Sequence, residues 1–591
     1  MKRRCILSFT TSGHGVGGTV CIDGQIVVAT TLERITREKY DIMLPISRVD
    51  LYTFGWRSDP EIYRKSIDLP FDLDGDYSNV DFNDVEKFNL ILDYLLSAAG
   101  ITLKDVDCVV YSYRHNDNVR RFFKEKNPKI DFIVPEHHYA HAAQAFLSSP
   151  FEEAAIMIID GQGVPLSRTE GDPLSGCLAY GKGNQIDMLW DLPVIYSLGD
   201  MYSFVTKICG FKTNEECKTM GLASYGKPVT YDDIRRELRF EVGEFNVRDW
   251  QKFIKRGFKS KQLLYSLGNY RDILNKFKIR KKGEEISETY INIAYAGQKL
   301  VEDVMIFLAN WLQKKTGSKN LCIAGGVGLN CVANYQVFAH TSFENIFVYP
   351  NAGDNGVCVG QALYVDNIID GNPRSYVSVH DYLGKEYTKE EIEKAVNKYR
   401  NNGMITIDEY ENADDLYEKM AFNIKEGFIT SWWQGRSEFG PRALGNRSIL
   451  ADPRNKDMKD ILNFRVKFRE GFRPFTPSVL RERASEFFTL DIESPFMLLA
   501  PYVQPGKEKV IPAVTHIDNT ARVQTVTQET NERYYNLIKA FERNTGVPVL
   551  LNTSFNVAGE PIVETPEDAI KCFLSTDIDV LGIDNFILKK Y

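Results

Sequence analysis

Short apolar runs punctuated by Gly, Asp and Asn open the chain, which is the signature of strands joined by tight turns. Residues 4–32 read as a β-hairpin: an apolar run, an Asp23-Gly24 turn, then Ile26, Val27, Val28 and Ala29 on the return. A related pattern recurs at 154–191, where a buried-type strand ends in Asp160-Gly161 and a hairpin follows around Gly181-Lys182-Gly183-Asn184. Two such units separated by helical material predict a duplicated α/β domain. Over 289–315, Ile293, Ala296, Leu300, Val304, Ile306 and Leu308 fall at helical spacing, and Gly317 provides the stop. Then come a strand at 321–323, the turn Gly325-Gly326-Val327-Gly328, a helix from about Asn330, a strand at 346–348 and the turn Asn351-Ala352-Gly353-Asp354-Asn355-Gly356. Strand, glycine turn, helix is the order that places ligands at helix N-termini beyond strand ends. Residues 366–382 are polar, carry Gly371 and Pro373 and lack periodicity, so the domains expected are 1–370 and 371–591, the second of mixed α+β character.

The length of 591 residues allows roughly four domains of average size, or two large ones. With 43% hydrophobic and 26% charged residues, a disordered chain is excluded. The net charge of −8 argues against a generally nucleic-acid-binding surface. Lys2, Arg3 and Arg4 resemble a signal-peptide start, but the apolar run behind them is too short, and no run approaches the ~20 residues of a membrane span. Ten scattered cysteines form no CxxC pair, which points to a reducing compartment. A cytoplasmic protein with no membrane segment is the expectation.

Three of the eight histidines lie in Pro135-Glu136-His137-His138-Tyr139-Ala140-His141. If the alanine-rich stretch at 139–147 is helical, His137 and His141 share one face at i and i+4, a metal-ligand spacing. Asp160 at a strand end and Asp354 in a glycine turn accompany them, and imidazole with carboxylate suits Fe(II), Mn or Zn. A second dense stretch runs from Trp432 to Pro474 and holds seven arginines between 436 and 473, with Gly and Pro interleaved. Loop arginines at this density face polyanions, because the guanidinium fork pairs bidentately with phosphate, or else form a solvated basic surface. Apolar strands ending in Thr520-Ala521-Arg522-Val523-Gln524 and Leu551-Asn552-Thr553-Ser554 look like the floor of a nucleotide pocket.

These motifs, together with Asp160-Gly161-Gln162-Gly163, Met220-Gly221-Leu222-Ala223-Ser224-Tyr225-Gly226 and Phe439-Gly440-Pro441-Arg442-Ala443-Leu444-Gly445, occur in one order over nearly the whole chain. In that order they resemble the O-carbamoyltransferases of the nodulation-protein and antibiotic-biosynthesis type. The resemblance implies a duplicated actin/hexokinase-like N-terminal domain followed by an α+β YrdC-like domain, with a catalytic centre in each. The YrdC-like site would make carbamoyl adenylate from carbamoyl phosphate and ATP with Mg, and the metal-containing N-terminal site would move the carbamoyl group to a hydroxyl. It implies metal ligation by His137, His141, Asp160 and Asp354, and ATP and carbamoyl-phosphate binding by Arg442, Lys467, Arg473, Arg522, Asn552 and Ser554. Gly161, Gln162, Glu216, Gly325 and Asn330 are implied to bind the adenylate, with Glu216 at its ribose. His14 maps onto a catalytic histidine and Lys39 onto an active-site lysine, although Gly15 stands where the family has Asp. A homodimer is the oligomer expected.

The acceptor is open. Residues 251–282 contain eleven Lys/Arg against Asp272 alone, with Phe253, Phe258, Tyr265, Tyr270 and Phe277 interleaved. That segment reads either as a solvated basic face or as a surface tracking the phosphates of a hydroxylated nucleotide or DNA base. A small-molecule or sugar hydroxyl is the leading choice on family grounds. A non-catalytic ATP-binding regulator of the same fold is the alternative from another class.

Overall fold

Eighteen strands build three sheets in the computed structural model, which describes residues 4–12, 15–41, 83–111, 117–163, 174–194, 197–232, 278–281, 283–401 and 403–591. His14 and nearly all of the basic segment 251–282 lie outside the described residues.

The first sheet takes β1 (Cys5–Ser12), β2 (Gly15–Ile22), β3 (Gln25–Thr31), β4 (Cys108–Tyr111) and β5 (Asp131–Ile133) in the order β3-β2-β1-β4-β5. The second takes β6 (Glu153–Ile159), β7 (Leu174–Lys182), β8 (Gln185–Pro193), β9 (Asn320–Ala324) and β10 (Asn345–Val348), ordered β8-β7-β6-β9-β10. In both, an antiparallel three-strand meander is followed by two strands parallel to its first. The expected duplication is therefore present, as two five-stranded sheets of one topology.

One detail of the sequence pattern is corrected. A single hairpin was the expectation over 4–32, yet three strands are found, because the glycine-rich Gly15–Ile22 forms a strand of its own. Those glycines serve proximity. A Cβ on Gly17 would lie 1.9 Å from the carbonyl oxygen of Asn355, so only glycine lets the strand reach the Asp354 turn.

The helix His137–Leu147 is longer at its start than the apolar pattern suggests, and buries every residue from Ala140 to Leu147. Alanine at 140, 142, 143 and 145 lets it lie close against its neighbours. The long helix Glu288–Thr316 ends at Gly317 in the left-handed conformation (φ 70°), as its composition predicts. Among the described residues no helix is long and apolar enough to cross a membrane. None of the ten cysteines is disulfide-bonded.

The third sheet has eight strands: β11 (Ile405–Glu409), β12 (Thr430–Trp433), β13 (Arg447–Ala451), β14 (Thr476–Leu480), β15 (Gln524–Val526), β16 (Val549–Ser554), β17 (Val580–Ile583) and β18 (Phe586–Lys590), ordered β11-β18-β17-β12-β13-β16-β14-β15. It is mixed, and helices such as Glu532–Thr545 pack on it, giving the α+β character expected.

Arginines from both sides stitch this sheet to the first. Arg37 donates to the carbonyls of Ile562 (2.5 Å) and Pro561 (2.9 Å), Arg436 donates to Val27 (2.5 Å), and Arg34 to Gly440 (2.9 Å). Asp381 sits in the same junction, accepting from the Gly440 N–H at 2.7 Å, while its Oδ1 is buried without a hydrogen-bond partner among the described residues. Burial, with Glu438 nearby, raises the Asp381 carboxyl to about 8, against the pull of Gly440 and Arg34. A native state that holds this proton longer than the unfolded chain loses stability as pH rises from about 4 to about 8. The loss is bounded by about 1.4 kcal/mol per pH unit. Asp381→Asn should flatten that part of the profile and make the protein relatively more stable at pH 8 than at pH 5. Urea unfolding at both pH values checks this, and an unchanged slope would contradict it.

Candidate active site

His137 opens its helix just beyond β5, Asp160 follows the last residue of β6, and Asp354 starts the turn before the helix Val357–Leu363. Their ligating atoms and that of His141 all lie within 4.8 Å of one another. His137 Nε2 is 3.2 Å from Asp160 Oδ2 and 3.6 Å from Asp354 Oδ1. His141 Nε2 is 3.4 Å from Asp354 Oδ1 and 3.8 Å from Asp160 Oδ2.

Neighbouring groups aim these atoms. His141 Nδ1 faces Gln144 Oε1 at 2.8 Å, so it carries the proton and leaves the Nε2 lone pair toward the carboxylates. Gln144 Nε2 donates in turn to the Asn351 carbonyl (2.7 Å), tying the histidine helix to the Asp354 turn. Asp160 Oδ1 accepts from the Gly326 N–H at 3.1 Å. Gly325 has φ +89°, and a Cβ there would stand 2.2 Å from the Ile159 carbonyl oxygen, so the loop after β9 closes on β6 only with glycine.

The electrostatics ask for a cation. Burial opposes the charge on Asp160, yet the His137 hydrogen bond and the nearby His141, His137 and His138 hold it well below the usual carboxylate range. Burial and Asp160 oppose charge on Asp354, and His141 and His137 overcome them. Burial likewise disfavours charged His137, and Asp160 and Asp354 more than compensate, raising it. Two imidazole nitrogens and two carboxylate oxygens converging at 3.2–3.8 Å, buried, match the donor set of a borderline divalent metal. The residues present fit such a metal.

The residues expected to bind the adenylate are spread over several elements. Gly161 follows Asp160, and its carbonyl accepts from Ser197 Oγ at 2.6 Å. Gln162 is exposed beside it. Glu216 opens the helix Glu216–Ala223, and Asn330 caps the helix Cys331–Ala339 by accepting from the Ala333 N–H at 3.1 Å. Lys39 is exposed and stacks its ammonium on Tyr40 at 5.2 Å. Its charge acts on Lys467, so it belongs to the side facing the third sheet.

The seven arginines divide into two groups, a division the sequence does not show. Arg447 is fully buried and donates to the carbonyls of Gln434, Gly435 and Asn446; Arg436 donates to Gly384, Leu383 and Val27; Arg454 pairs with Asp452, and Arg465 with Asp579. Those four build the fold. Arg442, Arg469 and Arg473 instead gather with Lys467 and Arg522. Burial and the charges of Arg473 and Arg522 push Arg469 down to about 9, and burial and Arg442 push Arg522 to about 9. Burial and then Arg469 pull Lys467 well below its ordinary value. The guanidiniums stay charged at neutral pH, so the cluster is a set of half-buried cations around the buried Lys467, repelling one another, which an anion relieves.

The floor of this cluster is polar. Arg522 donates to Thr476 Oγ1 at 2.9 and 3.2 Å, and Thr476 pairs with Asn552 across β14 and β16. Asn552 Nδ2 donates to the Ala443 carbonyl (3.1 Å) and Ser478 Oγ (3.0 Å), which holds the loop carrying Arg442 over the sheet. Asn552 Oδ1 and Arg442 Nε are buried without hydrogen-bond partners among the described residues. Lys467 Nζ donates to the Ser554 carbonyl (2.5 Å), the Asn556 carbonyl (3.0 Å) and Asn556 Oδ1 (2.8 Å), and lies 3.4 Å from Ser554 Oγ. Arg473 is weakly anchored: it lies 3.8 Å from Cys217 Sγ and 3.7 Å from a Glu470 carboxylate oxygen. Arg469 was not singled out from the sequence, where nothing distinguishes it from its six neighbours in the run.

The two halves match two family models: residues 5–363 match the carbamoyltransferase N-terminus and residues 421–590 the carbamoyltransferase C-terminus. An uncharacterized Synechocystis protein is 35% identical over 99% of this chain and 96% of its own length. The nodulation protein NolNO of Sinorhizobium fredii is 35% identical over 98% of this chain and 79% of its own length. A 3'-hydroxymethylcephem-O-carbamoyltransferase of Streptomyces clavuligerus is 28% identical over 76% of this chain and 78% of its own length. With both halves matched in order and the relatives aligned over most of its length, this chain belongs to the carbamoyltransferase family.

Proposed function

We propose that the protein is an ATP-dependent O-carbamoyltransferase in which residues 371–591 make carbamoyl adenylate and residues 1–370 deliver the carbamoyl group to a hydroxyl. The observation that carries this reading is the pairing, in one chain, of a half-buried cation cluster (Arg442, Lys467, Arg469, Arg473, Arg522) with a largely buried His/Asp cluster. An ATP-binding regulator needs no second centre.

The chemistry explains the division. A carbamoyl group in water is a sluggish electrophile, and joining it to AMP supplies a good leaving group. Atoms balance when carbamoyl phosphate gives up phosphate to water and the resulting carbamate oxygen displaces pyrophosphate from the α-phosphorus of ATP. Arg442, Arg473 and Arg522 neutralise the triphosphate and the departing pyrophosphate, with Arg469 and Lys467 beneath. His137, His141, Asp160 and Asp354 would hold Fe(II), Mn or Zn, which supplies Lewis acidity at the carbamoyl adenylate. Glu216 and Asn330 offer an acceptor and a donor to the ribose, and Gly161 offers backbone close to the metal ligands. His14, as the base that takes the acceptor's proton, and Lys39 are carried by the family resemblance. Enclosure of the intermediate protects it from water. Ten cysteines outside any disulfide, nine of them buried, suit the cytoplasm.

The test is a mixture of enzyme, ATP, Mg and carbamoyl phosphate with a panel of hydroxyl compounds that includes hydroxymethylated DNA. Pyrophosphate release that depends on carbamoyl phosphate, with a product heavier by one carbamoyl group, is expected. ATP binding without carbamoyl-phosphate-dependent turnover would favour the regulator instead. Modification of the DNA member would make a nucleic-acid base the acceptor.

A further inference from the structure

We infer that the helix Leu198–Ile208, through Tyr202 and Ser203, positions the two side chains that grip the adenylate, and that Gln298 on the helix Glu288–Thr316 is the link to one of them. The inference rests on the reading above that Glu216 and Asn330 line the adenylate site.

From this helix and its cap, two contacts run to residues assigned to that site, and a third reaches Asn330 through Gln298. Its N-cap, Ser197, donates its hydroxyl to the Gly161 carbonyl at 2.6 Å. Ser203 Oγ donates to Glu216 Oε1 at 2.8 Å. Tyr202 Oη donates to Gln298 Oε1 at 2.7 Å. Gln298 then trades both of its groups with Asn330: its Nε2 lies 3.2 Å from Asn330 Oδ1, and Asn330 Nδ2 donates to Gln298 Oε1 at 2.9 Å. The second Gln298 hydrogen goes to Glu302 Oε1 at 2.9 Å.

Tyr202, Gln298 and Asn330 are all buried, at 6%, 5% and 8% exposure, so this polar chain replaces what would otherwise be apolar packing between helices. Such a network stabilises no more than a well-packed core does, and its gain is in fixing orientation. The orientation fixed here is specific. Gln298 occupies Asn330 Oδ1 and one Nδ2 hydrogen, and the second Nδ2 hydrogen has no acceptor among the described residues. Ser203 occupies one oxygen of Glu216, and among the described residues the other has no partner. What remains is one amide donor and one carboxylate acceptor, each held in a set rotamer, which is the complement of a ribose hydroxyl pair. Burial also drives the Tyr202 hydroxyl well above its ordinary range, so it stays a donor at any working pH.

AMP is the probe, with α,β-methylene-ATP at saturation to fill the cation cluster in the other half. Ser203→Ala and Tyr202→Phe should each weaken AMP binding by about 5- to 15-fold, the effect of one buried hydrogen bond. Ser203→Thr, which keeps the hydroxyl, should bind AMP as the wild type does. Pyrophosphate release from ATP and carbamoyl phosphate should proceed at the wild-type rate in all of them, because that step belongs to the other half. A merely structural role would lower the melting temperature and both activities together. Wild-type AMP affinity in folded Ser203→Ala and Tyr202→Phe would overturn the positioning role. A wild-type enzyme that binds no AMP beside α,β-methylene-ATP would overturn the placement of the adenylate site itself.

Discussion

In His137→Ala and His141→Ala enzymes, carbamoyl transfer is expected to fall by at least ~10²–10³-fold, the scale lost when charge stabilisation leaves a reacting centre. Bound metal should be lost with it. Pyrophosphate release from ATP and carbamoyl phosphate should persist, since the cation cluster lies in the third sheet. The split follows from geometry. Each histidine supplies one Nε2 lying 3.2–3.8 Å from both carboxylates, so removing either leaves Asp160 and Asp354 facing each other with one imidazole. Treating the wild type with a chelator should reproduce the phenotype, and restoring metal should rescue the wild type and neither variant. Metal analysis showing full occupancy in both folded variants would refute the ligand assignment.

Arg473→Ala should show the opposite pattern: pyrophosphate release down by ~10²–10³-fold with metal content unchanged. Arg473 is the informative choice because its protein contacts are weak, a sulfur at 3.8 Å and a carboxylate at 3.7 Å, so little folding energy depends on it. Removing one of several mutually repelling cations should leave the ligand-free protein as stable as before or more so. The rise in melting temperature on adding ATP should shrink, because ligand stabilisation scales with affinity. Lys467→Ala should also stop pyrophosphate release, but at a cost in stability, since its ammonium ties Ser554 and Asn556 together. Wild-type pyrophosphate release by Arg473→Ala would remove the triphosphate site from this cluster.

Much of this was legible in the linear chain, because local chemistry decided it. The i, i+4 histidines, the Asp160 and Asp354 turns, the helix ending at Gly317 and the repeated strand pattern are each set by residues close in sequence, and the structure has them as read. The one hairpin foreseen over 4–32 became three strands because glycine runs are ambiguous along the chain. Only the approach of Asn355 to Gly17 reveals that the glycines there make room. Tertiary structure alone decided which arginines are structural. Arg447 and Arg469 look alike in sequence and both donate to backbone carbonyls, yet Arg447 is fully buried in the fold and Arg469 sits among Arg473, Arg522 and Lys467. The Ser203–Glu216 and Tyr202–Gln298–Asn330 contacts were likewise beyond sequence reasoning. Their partners lie 13, 96 and 32 positions apart. A serine, a tyrosine and a glutamine on buried helix faces acquire meaning only when packing brings those faces together.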